Sequence, residues 1–284
     1  MSGGQAGGLV VVATPIGNLE DLSPRAARAL READLVACED TRRTATLLRA
    51  AGSSAPMIPS HEHNEAARAA DLVRRMQAGA RVALVSDAGM PVVSDPGARA
   101  VRAAVEAGLP VTVVPGPSAV EAALALSGVP GVEEGYAFVG FFPRRQAERR
   151  RVLEAAGALA VVGFEGPRRV AGLLADLAAI DPARPVAVCR ELTKLHEQVV
   201  RGPAAEVAQR LADPLRGEVT VVIAPAPAAA GDAGAPALAA GMALLIDAGL
   251  SPARAAEAAA ALGAAPRNAA YRAALAAAES RRAR

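Results

Sequence analysis

The residues best suited to hold a ligand lie in three short loops that are rich in glycine and proline. They cover residues 14–21, 86–97 and 115–119, and each follows a run of apolar residues typical of a buried strand. Functional groups of open α/β sheets gather beyond the carboxyl ends of the strands, so these loops would frame one site. Glycine there allows backbone to approach a ligand closely, although a single loop of this kind would indicate only a tight turn.

These loops lack the motifs that bind phosphorylated cofactors. The chain contains no GxxxxGK[ST] motif, and no GxGxxG follows the first apolar run. ATP, GTP and NAD are therefore poor candidates. The pattern favours a ligand with a nucleoside and an amino-acid tail but no phosphate, and S-adenosylmethionine is such a ligand.

Charged side chains stand at the ends of later apolar runs. Glu165 ends LAVVGFE, and Arg190, Glu191 and Lys194 fall in the turn after PVAVC. Charged groups at such places often act in catalysis, but ion pairs at a domain interface would give the same pattern. The residue types alone leave both interpretations open.

A histidine pair and an acidic pair are the other groups that could do chemistry. His61 and His63 have a spacing that can bind metal, but no HExxH motif or third ligand accompanies them, so we expect no metal site. A loop facing the substrate, or a helix starting at Asn64, is favoured instead. Glu39 and Asp40 could complement the N-terminus of the next helix or shape the entrance to a site.

The elements that must position these groups alternate between strand-like and helix-like segments. In the first half, unbroken apolar strands predict a largely parallel sheet with helices on both faces. The predicted strands are LVVVA, DLVACE, RVALVSD and VTVVP, and the predicted helices cover residues 24–32, 41–50, 64–76 and 97–106.

A second rhythm begins near Gly128 and predicts a second α/β domain with a more mixed sheet. Its strands are YAFVGF, LAVVGFE, PVAVCREL, QVVRG and EVTVVIAP, and its helices cover residues 145–156, 168–179 and 203–211. The whole chain then divides into a disordered start (1–8), an N-terminal α/β domain (9–127), a C-terminal α/β domain (128–224), a Pro/Ala/Gly linker (225–236) and a helical extension (237–284). The extension looks like a helix-turn-helix unit, with a simple helical cap or dimer element as the alternative.

Composition narrows the class of protein. The chain has 284 residues, a net charge of +2, 2% aromatic residues and no tryptophan, which argues against an RNA platform of stacked aromatic rings. Arginines cluster within residues 144–151 and 281–284, where they could contact RNA or form solvated faces. Cys38 and Cys189 lie in apolar runs, as buried cysteines of a reducing compartment do. Without a signal-like start or a membrane-length apolar run, we expect a cytoplasmic protein.

A series of motifs carries a resemblance to a known family. In order, they are ATPIGNLEDLSPRA, ACEDTRRT, SHEHNE, ALVSDAGMPVVSDPG, VVPGPSAVEAALALSGV, GFFP, FEGPRR and RELTK. Their order and spacing resemble the ribosomal RNA small subunit methyltransferase I family of the tetrapyrrole methylase superfamily, over about residues 9–224. The terminal helices also resemble that family's small helical extension.

The resemblance implies two α/β domains of tetrapyrrole methylase type, with S-adenosylmethionine in the cleft between them. It also implies a homodimer that methylates the 2′ oxygen of a cytidine in the decoding region of 16S ribosomal RNA, free or within the small subunit. Asn18 stands where the superfamily usually has aspartate, as in the ribosomal RNA branch. Met90 replaces a frequent threonine and so offers the cofactor no side-chain hydroxyl, and Cys38 replaces a frequent alanine.

Site residues follow from that resemblance together with position in the chain. For binding the cofactor they are Pro15, Gly17, Asn18, Ser86, Asp87, Ala88, Gly89, Met90, Ser118, Ala119, Phe164, Glu165, Leu192 and Thr193. A ribose hydroxyl needs a general base, for which Glu191, Glu165 and Asp87 are the candidates, while Lys194 or Arg190 could hold a phosphate or the reacting oxygen. No metal is needed, because a sulfonium is already a strong electrophile.

Two other functions stay open at this point. A tetrapyrrole C-methyltransferase would share the fold, but it should have the aspartate-ending loop that Asn18 interrupts. A ribosome-assembly factor without catalysis would bind RNA but not the cofactor.

Overall fold

The structure, a computed structural model, describes residues 7–61, 64–155, 157, 159–211, 215–226, 235–261, 265 and 267–282. The chain forms two compact units, Met1–Pro225 and Ala226–Arg284. Both predicted sheets lie in the first unit. Most of the predicted disordered start and linker, residues 1–6 and 227–234, lies outside the described residues.

The first sheet has five strands, all parallel, as the apolar runs predicted. Its strands in chain order are β1 (Gly8–Val12), β2 (Leu35–Cys38), β3 (Met57–Pro59), β4 (Arg81–Leu84) and β5 (Val111–Val114). In space the order is β3-β2-β4-β1-β5, so β1 and β4 are neighbours near the middle. Their carboxyl ends therefore deliver the loops after residues 13 and 85 to the same edge.

Helices cover both faces of this sheet, which confirms the predicted architecture. They are α1 (Pro24–Arg31), α2 (Thr41–Ala51), α3 (Glu65–Gln77) and α4 (Ala98–Glu106). Side chains alternate between the faces of a strand, so Val12 packs with α1 and α2 while Leu9 packs with α3 and α4. Ser23 caps α1 by accepting a hydrogen bond from the Ala26 amide at 3.1 Å.

Three features of this half differ from the sequence prediction. β5 is an edge strand, and the Val113 side chain is 49% exposed rather than buried. β3 was not predicted, since three residues ending in proline give too short a pattern to detect. Helix α5 (Ala119–Ser127) was also missed; its Val120 and Ala123 pack against strands of the second sheet.

The second sheet is mixed, as predicted, in the order β6-β7-β10-β8-β9. Its strands are β6 (Tyr136–Phe141), β7 (Ala160–Glu165), β8 (Pro185–Arg190), β9 (Gln198–Pro203) and β10 (Val219–Ile223). Only the β6–β7 pairing is parallel, and the other three are antiparallel. One face packs against α6 (Gln146–Ala155), α7 (Val170–Ile180) and α8 (Ala204–Arg210), while α5 covers the other face.

The second unit contains three helices, α9 (Ala235–Asp247), α10 (Pro252–Ala261) and α11 (Arg267–Arg282). Met242 and Ile246 of α9 pack against alanines of α10 and α11, so small side chains let the helices approach closely. All three lie within the helical extension predicted for residues 237–284, apart from the first two residues of α9. Within the described part of the chain, no helix is long and apolar enough to cross a membrane. The domain boundaries drawn from the sequence stay a prediction.

Candidate active site

A cleft of about 270 Å³ lies between the two sheets of the first unit. The loops after β1, β4 and β5 form one wall, and the ends of β6, β7, β8 and β10 form the other. Eight residues predicted to bind the cofactor line it: Ala88, Gly89, Met90, Ser118, Ala119, Phe164, Glu165 and Leu192. The three predicted loops do meet at one sheet edge.

The loops after β1 and β4 are joined through their backbones. The Thr14 amide donates to the Gly89 carbonyl at 2.9 Å, and the Gly89 amide donates to the Thr14 carbonyl at 3.1 Å. The Ser86 hydroxyl also donates to the Gly89 carbonyl, at 3.1 Å. Gly89 has φ +82°, a conformation that side chains rarely adopt, so glycine is required to form this turn.

The loop from Met90 to Gly97 is strained and anchored. Val92 and Ser94 have φ values of 78° and 62°, which cost energy in residues with a side chain. The Glu65 carboxylate accepts hydrogen bonds from the Gly97 amide at 2.9 Å and the Arg99 amide at 3.0 Å. The loop therefore holds its shape through contacts to α3 and α4.

Three other predicted residues line a second, smaller cavity of about 90 Å³, namely Pro15, Ser86 and Asp87. The Asp87 carboxylate accepts a hydrogen bond from the Asp40 amide at 3.1 Å and lies 3.6 Å from the Arg43 guanidinium. Asp87 is thus engaged by neighbours at the ends of β2 and β4.

A contact joins the loop after β1 of the first sheet to the loop after β8 of the second sheet, and it is formed by Gly17, Asn18 and Thr193. The Asn18 amide donates to the Thr193 hydroxyl at 3.2 Å, and the Asn18 side chain accepts from the Glu20 amide at 3.0 Å. A Cβ on Gly17 would lie 2.4 Å from Cγ of Lys194, so glycine is needed for this close approach. These predicted cofactor residues do not line the cleft.

Of the predicted catalytic side chains, Glu191 and Lys194 form a network at the rim. Lys194 Nζ lies 2.9 Å from Glu191 Oε1 and 2.6 Å from Glu218 Oε2. A hydrogen bond from the Glu218 amide and the Lys194 ammonium lower the pKa of Glu191. Burial alone would lower the pKa of Lys194, but the two carboxylates outweigh the effect of burial, so the pKa is raised. Arg190 lies apart, donating to Gln198 at 3.2 Å.

Glu165 is the predicted catalytic residue that lines the cleft, and it is 2% exposed. Its Oε1 accepts from the Gly166 amide at 2.7 Å and pairs with Arg169 at 2.5 Å. Its Oε2 is buried without a hydrogen-bond partner. Burial raises the pKa of Glu165 in spite of the Arg169 guanidinium. The free oxygen can accept a hydrogen bond from a donor in the cleft.

Sequence reasoning missed several lining residues, among them Asp95, Phe141 and Glu218. Burial and the carboxylate of Glu39 raise the pKa of Asp95 to about 6. The carboxylates of Asp87 and Glu218 make smaller contributions in the same direction. Asp95 lies inside a predicted loop, so its ionisable side chain was the available signal. Glu218 and Phe141 belong to elements that only the fold brings to this edge.

The cleft combines an apolar surface with acidic groups. The Phe164 ring meets the edges of Phe138 and Phe141 at centroid distances of 5.3 and 5.5 Å. Within the described ranges, the carboxylates that line the cleft belong to Asp95, Glu165 and Glu218, and no lysine or arginine lines it. A cationic organic ligand suits such a surface, whereas a phosphorylated one does not.

The arginine cluster of α6 is only partly available to a ligand. Arg149 is 8% exposed and forms an ion pair with Asp176, which is 2% exposed. Its predicted role in RNA contact is therefore wrong, because its guanidinium is committed to a buried carboxylate. Arg144, Arg145 and Arg151 are exposed, as a contact surface requires.

The histidine pair can be described only in part, since His63 lies outside the described residues. The His61 amide donates to the Asn64 side chain at 2.9 Å, which holds the start of α3. Among the residues that the structure describes, no group of three histidine, cysteine or acidic side chains could hold a metal ion. Metal-independent chemistry stays a prediction.

Comparisons with known proteins agree with this architecture. The family model for Tetrapyrrole (Corrin/Porphyrin) Methylases matches residues 8–208. The Ribosomal RNA small subunit methyltransferase I of Micromonospora olivasterospora is 41% identical over 231 residues, which are 80% of this chain and 73% of that protein. The protein of that name from Thermotoga maritima is 43% identical over 221 residues, 76% of this chain and 98% of its own.

Likeness to a solved structure supports the fold. The uroporphyrin-III C-methyltransferase of Thermus thermophilus complexed with S-adenyl homocysteine superposes with a TM-score of 0.53 at 21% identity. The match covers 76% of this chain and 96% of that one.

Proposed function

The chain belongs to the tetrapyrrole methylase family, among the relatives of ribosomal RNA small subunit methyltransferase I, and we infer that it methylates small-subunit ribosomal RNA with S-adenosylmethionine. The observation that carries this function is the acidic, apolar cleft at the carboxyl edge of the parallel sheet, in a chain 41–43% identical to those two relatives. The proposed target is the 2′ oxygen of a cytidine in the decoding region.

The lining of the cleft fits the cofactor. S-adenosylmethionine supplies a methyl group on a positively charged sulfur, which a nucleophilic oxygen can accept. The carboxylates of Asp95, Glu165 and Glu218 favour that positive charge, and the absence of basic groups among the described lining residues is consistent with a cofactor without phosphates. The unpartnered Glu165 Oε2 can accept from an amine or a hydroxyl of the nucleoside, and Phe141 and Phe164 provide an apolar surface for its base.

Residues of the β4 and β5 loops would hold the cofactor through backbone and small side chains. We assign this role to Ala88, Gly89 and Met90, and to Ser118 and Ala119 at the start of α5. Ser118 is the N-cap residue of α5 but makes no side-chain capping bond, so its hydroxyl is available to a ligand. A methionine at position 90 contributes no hydroxyl, so this part of the site would use backbone groups.

Charged residues outside the cleft would hold the RNA. Lys194 and Arg190 stand at the ends of strands of the second sheet, where a phosphate could be bound, and Glu191 positions the Lys194 ammonium. The exposed arginines of residues 144–151 add a basic surface, and phosphate contacts from arginine contribute strongly to RNA affinity. We place the protein in the cytoplasm, where its ribosomal substrate is assembled.

A homodimer is part of the proposal. Besides the family resemblance, Val105 on α4 is 61% exposed and Val113 on the edge strand β5 is 49% exposed. Exposed apolar side chains on an edge strand and on a helix beside it are consistent with a surface that a second subunit covers. Sedimentation of the full chain, and of a chain ending at Pro225, should separate a dimer contact on the first unit from one made by the C-terminal helices.

Two measurements test the proposed function. Calorimetric titration should show that the protein binds S-adenosylmethionine, which a vestigial assembly factor would not do. Mapping of ribose methylation in small-subunit RNA, with and without the gene, should show loss of a single 2′-O-methylcytidine. An unchanged methylation map, or turnover of a tetrapyrrole in place of RNA, would contradict the assignment.

A further inference from the structure

The carboxylate of Asp95 differs from the other carboxylates of the cleft in having no cationic partner. Glu165 pairs with Arg169 at 2.5 Å, and Glu218 pairs with Lys194 at 2.6 Å. Within the described parts of the chain, no ion pair involves Asp95. A carboxylate that is free of a counter-charge remains available to accept a proton.

Asp95 lies at the cleft just after two residues in costly backbone conformations. It follows Val92 and Ser94, both with positive φ, and precedes Gly97 with φ 128°. A Cβ on Gly97 would lie 2.8 Å from the Leu84 side chain, so the loop presses closely on β4. Strain of this kind persists where surrounding contacts over-determine the backbone, and such places cluster at active sites. The Glu65 carboxylate supplies that anchoring from α3.

The groups facing Asp95 from neighbouring elements are acidic. Glu39 comes from the end of β2, Asp87 from the end of β4, and Glu218 from the start of β10. Two of these acids have cationic partners of their own, since Arg43 lies near Asp87 and Lys194 near Glu218. Together with burial, they raise the pKa of Asp95 to about 6.

That environment suits proton transfer near neutral pH. A general base is most effective when its pKa lies close to the working pH, because it is then both ionised and basic enough to take a proton. Glu191 is less suited, since the Glu218 amide and Lys194 lower its pKa. Glu165 is also less suited, because its Oε1 is committed to the Gly166 amide and the Arg169 guanidinium.

We propose that Asp95 is the general base that accepts the proton of the attacking ribose hydroxyl, an inference that rests on the proposed function. The ribose oxygen forms its bond to the methyl carbon as the carbon–sulfur bond breaks and the sulfur keeps that electron pair. The hydroxyl proton passes to Asp95 Oδ, which later releases it to water. Charge is conserved, because the carboxylate becomes neutral as the sulfonium becomes a neutral thioether.

The test compares wild type, Asp95→Asn and Glu106→Gln in single-turnover methylation of small subunits lacking the modification, from pH 5 to 9. Glu106 is an exposed residue at the end of α4 and serves as the matched control. In wild type and Glu106→Gln, the rate should rise with pH to a plateau, and the acid limb should lie at or below the pKa of about 6 that Asp95 has without cofactor, because the sulfonium favours the ionised carboxylate. Asp95→Asn should be slower by about 10²-fold or more and should lack that acid limb.

Two measurements do not depend on turnover. Calorimetry should show that Asp95→Asn still binds S-adenosylmethionine, though more weakly, because one of the carboxylates that favour the sulfonium is lost; the methylation rates are therefore compared at saturating cofactor. In the cofactor-free protein labelled with ¹³C-aspartate, one carboxyl resonance should titrate near pH 6 and vanish in Asp95→Asn. Removing an ionised carboxylate from acidic neighbours should leave the variant folded above pH 6, which circular dichroism checks.

The outcomes separate the two proposals. If wild type fails to methylate small subunits, the proposed function is wrong and the role of Asp95 falls with it. If wild type is active while Asp95→Asn keeps its rate within a few-fold and its acid limb, only the assignment of the base is overturned. A resonance that titrates near pH 4 would also count against Asp95.

Discussion

Replacing Arg149 with alanine should destabilise the first unit, because it would leave a buried carboxylate without its main partner. Asp176 is 2% exposed, and Arg149 Nε donates to its Oδ2 at 2.7 Å. Removing one member of a buried ion pair typically costs about 3–5 kcal/mol. Gln146 and Arg150 still donate to Oδ1 of Asp176, at 2.6 and 3.3 Å, so we expect the lower end, about 3 kcal/mol.

The assay is denaturant unfolding followed by circular dichroism, with Arg145→Ala as the matched control. The Arg145 side chain is 84% exposed and its pair with Glu148 spans 3.4 Å, so its loss should cost about 0.5 kcal/mol or less. Arg149→Met combined with Asp176→Leu should recover most of the stability, since a buried pair can be replaced by apolar side chains of similar volume.

The dependence on pH gives a second signature. Burial alone would raise the pKa of Asp176, but hydrogen bonds from Gln146 and Arg149 and the nearby guanidinium lower it below 3.8. A carboxyl whose pKa is lower in the folded protein than in the unfolded chain stabilises the fold at any pH above its pKa in the unfolded chain. That contribution is lost as the pH falls through its pKa in the folded protein. The difference between wild type and Arg149→Ala should therefore shrink below about pH 4. A loss under about 1 kcal/mol, or one of equal size at pH 3 and pH 7, would refute the buried-pair reasoning.

Three further predictions concern the cofactor, metals and RNA. Gly89→Leu should abolish S-adenosylmethionine binding in calorimetry, because φ is +82° there and a Cβ would lie 3.3 Å from the Ile16 side chain; retained affinity with a native spectrum would argue against this placement. Enzyme treated with EDTA and then freed of the chelator should keep its full methylation rate, and a loss that one divalent ion other than the magnesium of the substrate buffer restores would contradict metal-independent chemistry. Changing the exposed Arg144, Arg145 and Arg151 together to alanine should weaken RNA binding and flatten its salt dependence, while leaving cofactor affinity unchanged; unaltered RNA binding across salt concentrations would show a merely solvated face.

The amino-acid sequence determined the elements and the loops that frame the cleft. Apolar runs and turn residues act locally, so β1, β2, β4 and helix α1 could be predicted one segment at a time. The rule that loops gather at the carboxyl edge of a parallel sheet then brought residues 88–90 and 118–119 to one site. Longer motifs within those loops were enough to indicate the family.

Only the tertiary structure decided the state of individual charged groups. Arg149 lies in a sequence cluster of arginines, yet it is buried because Asp176, 27 residues later, lies opposite it on α7. Asp95 could be placed in a loop from the sequence, but its pKa of about 6 depends first on its burial and then on Glu39, Asp87 and Glu218, which arrive from three other segments. Helix α5 was missed because its apolar faces are explained only by the second sheet that it covers. Burial and Coulomb energy depend on distances between residues remote in sequence, and folding alone sets those distances.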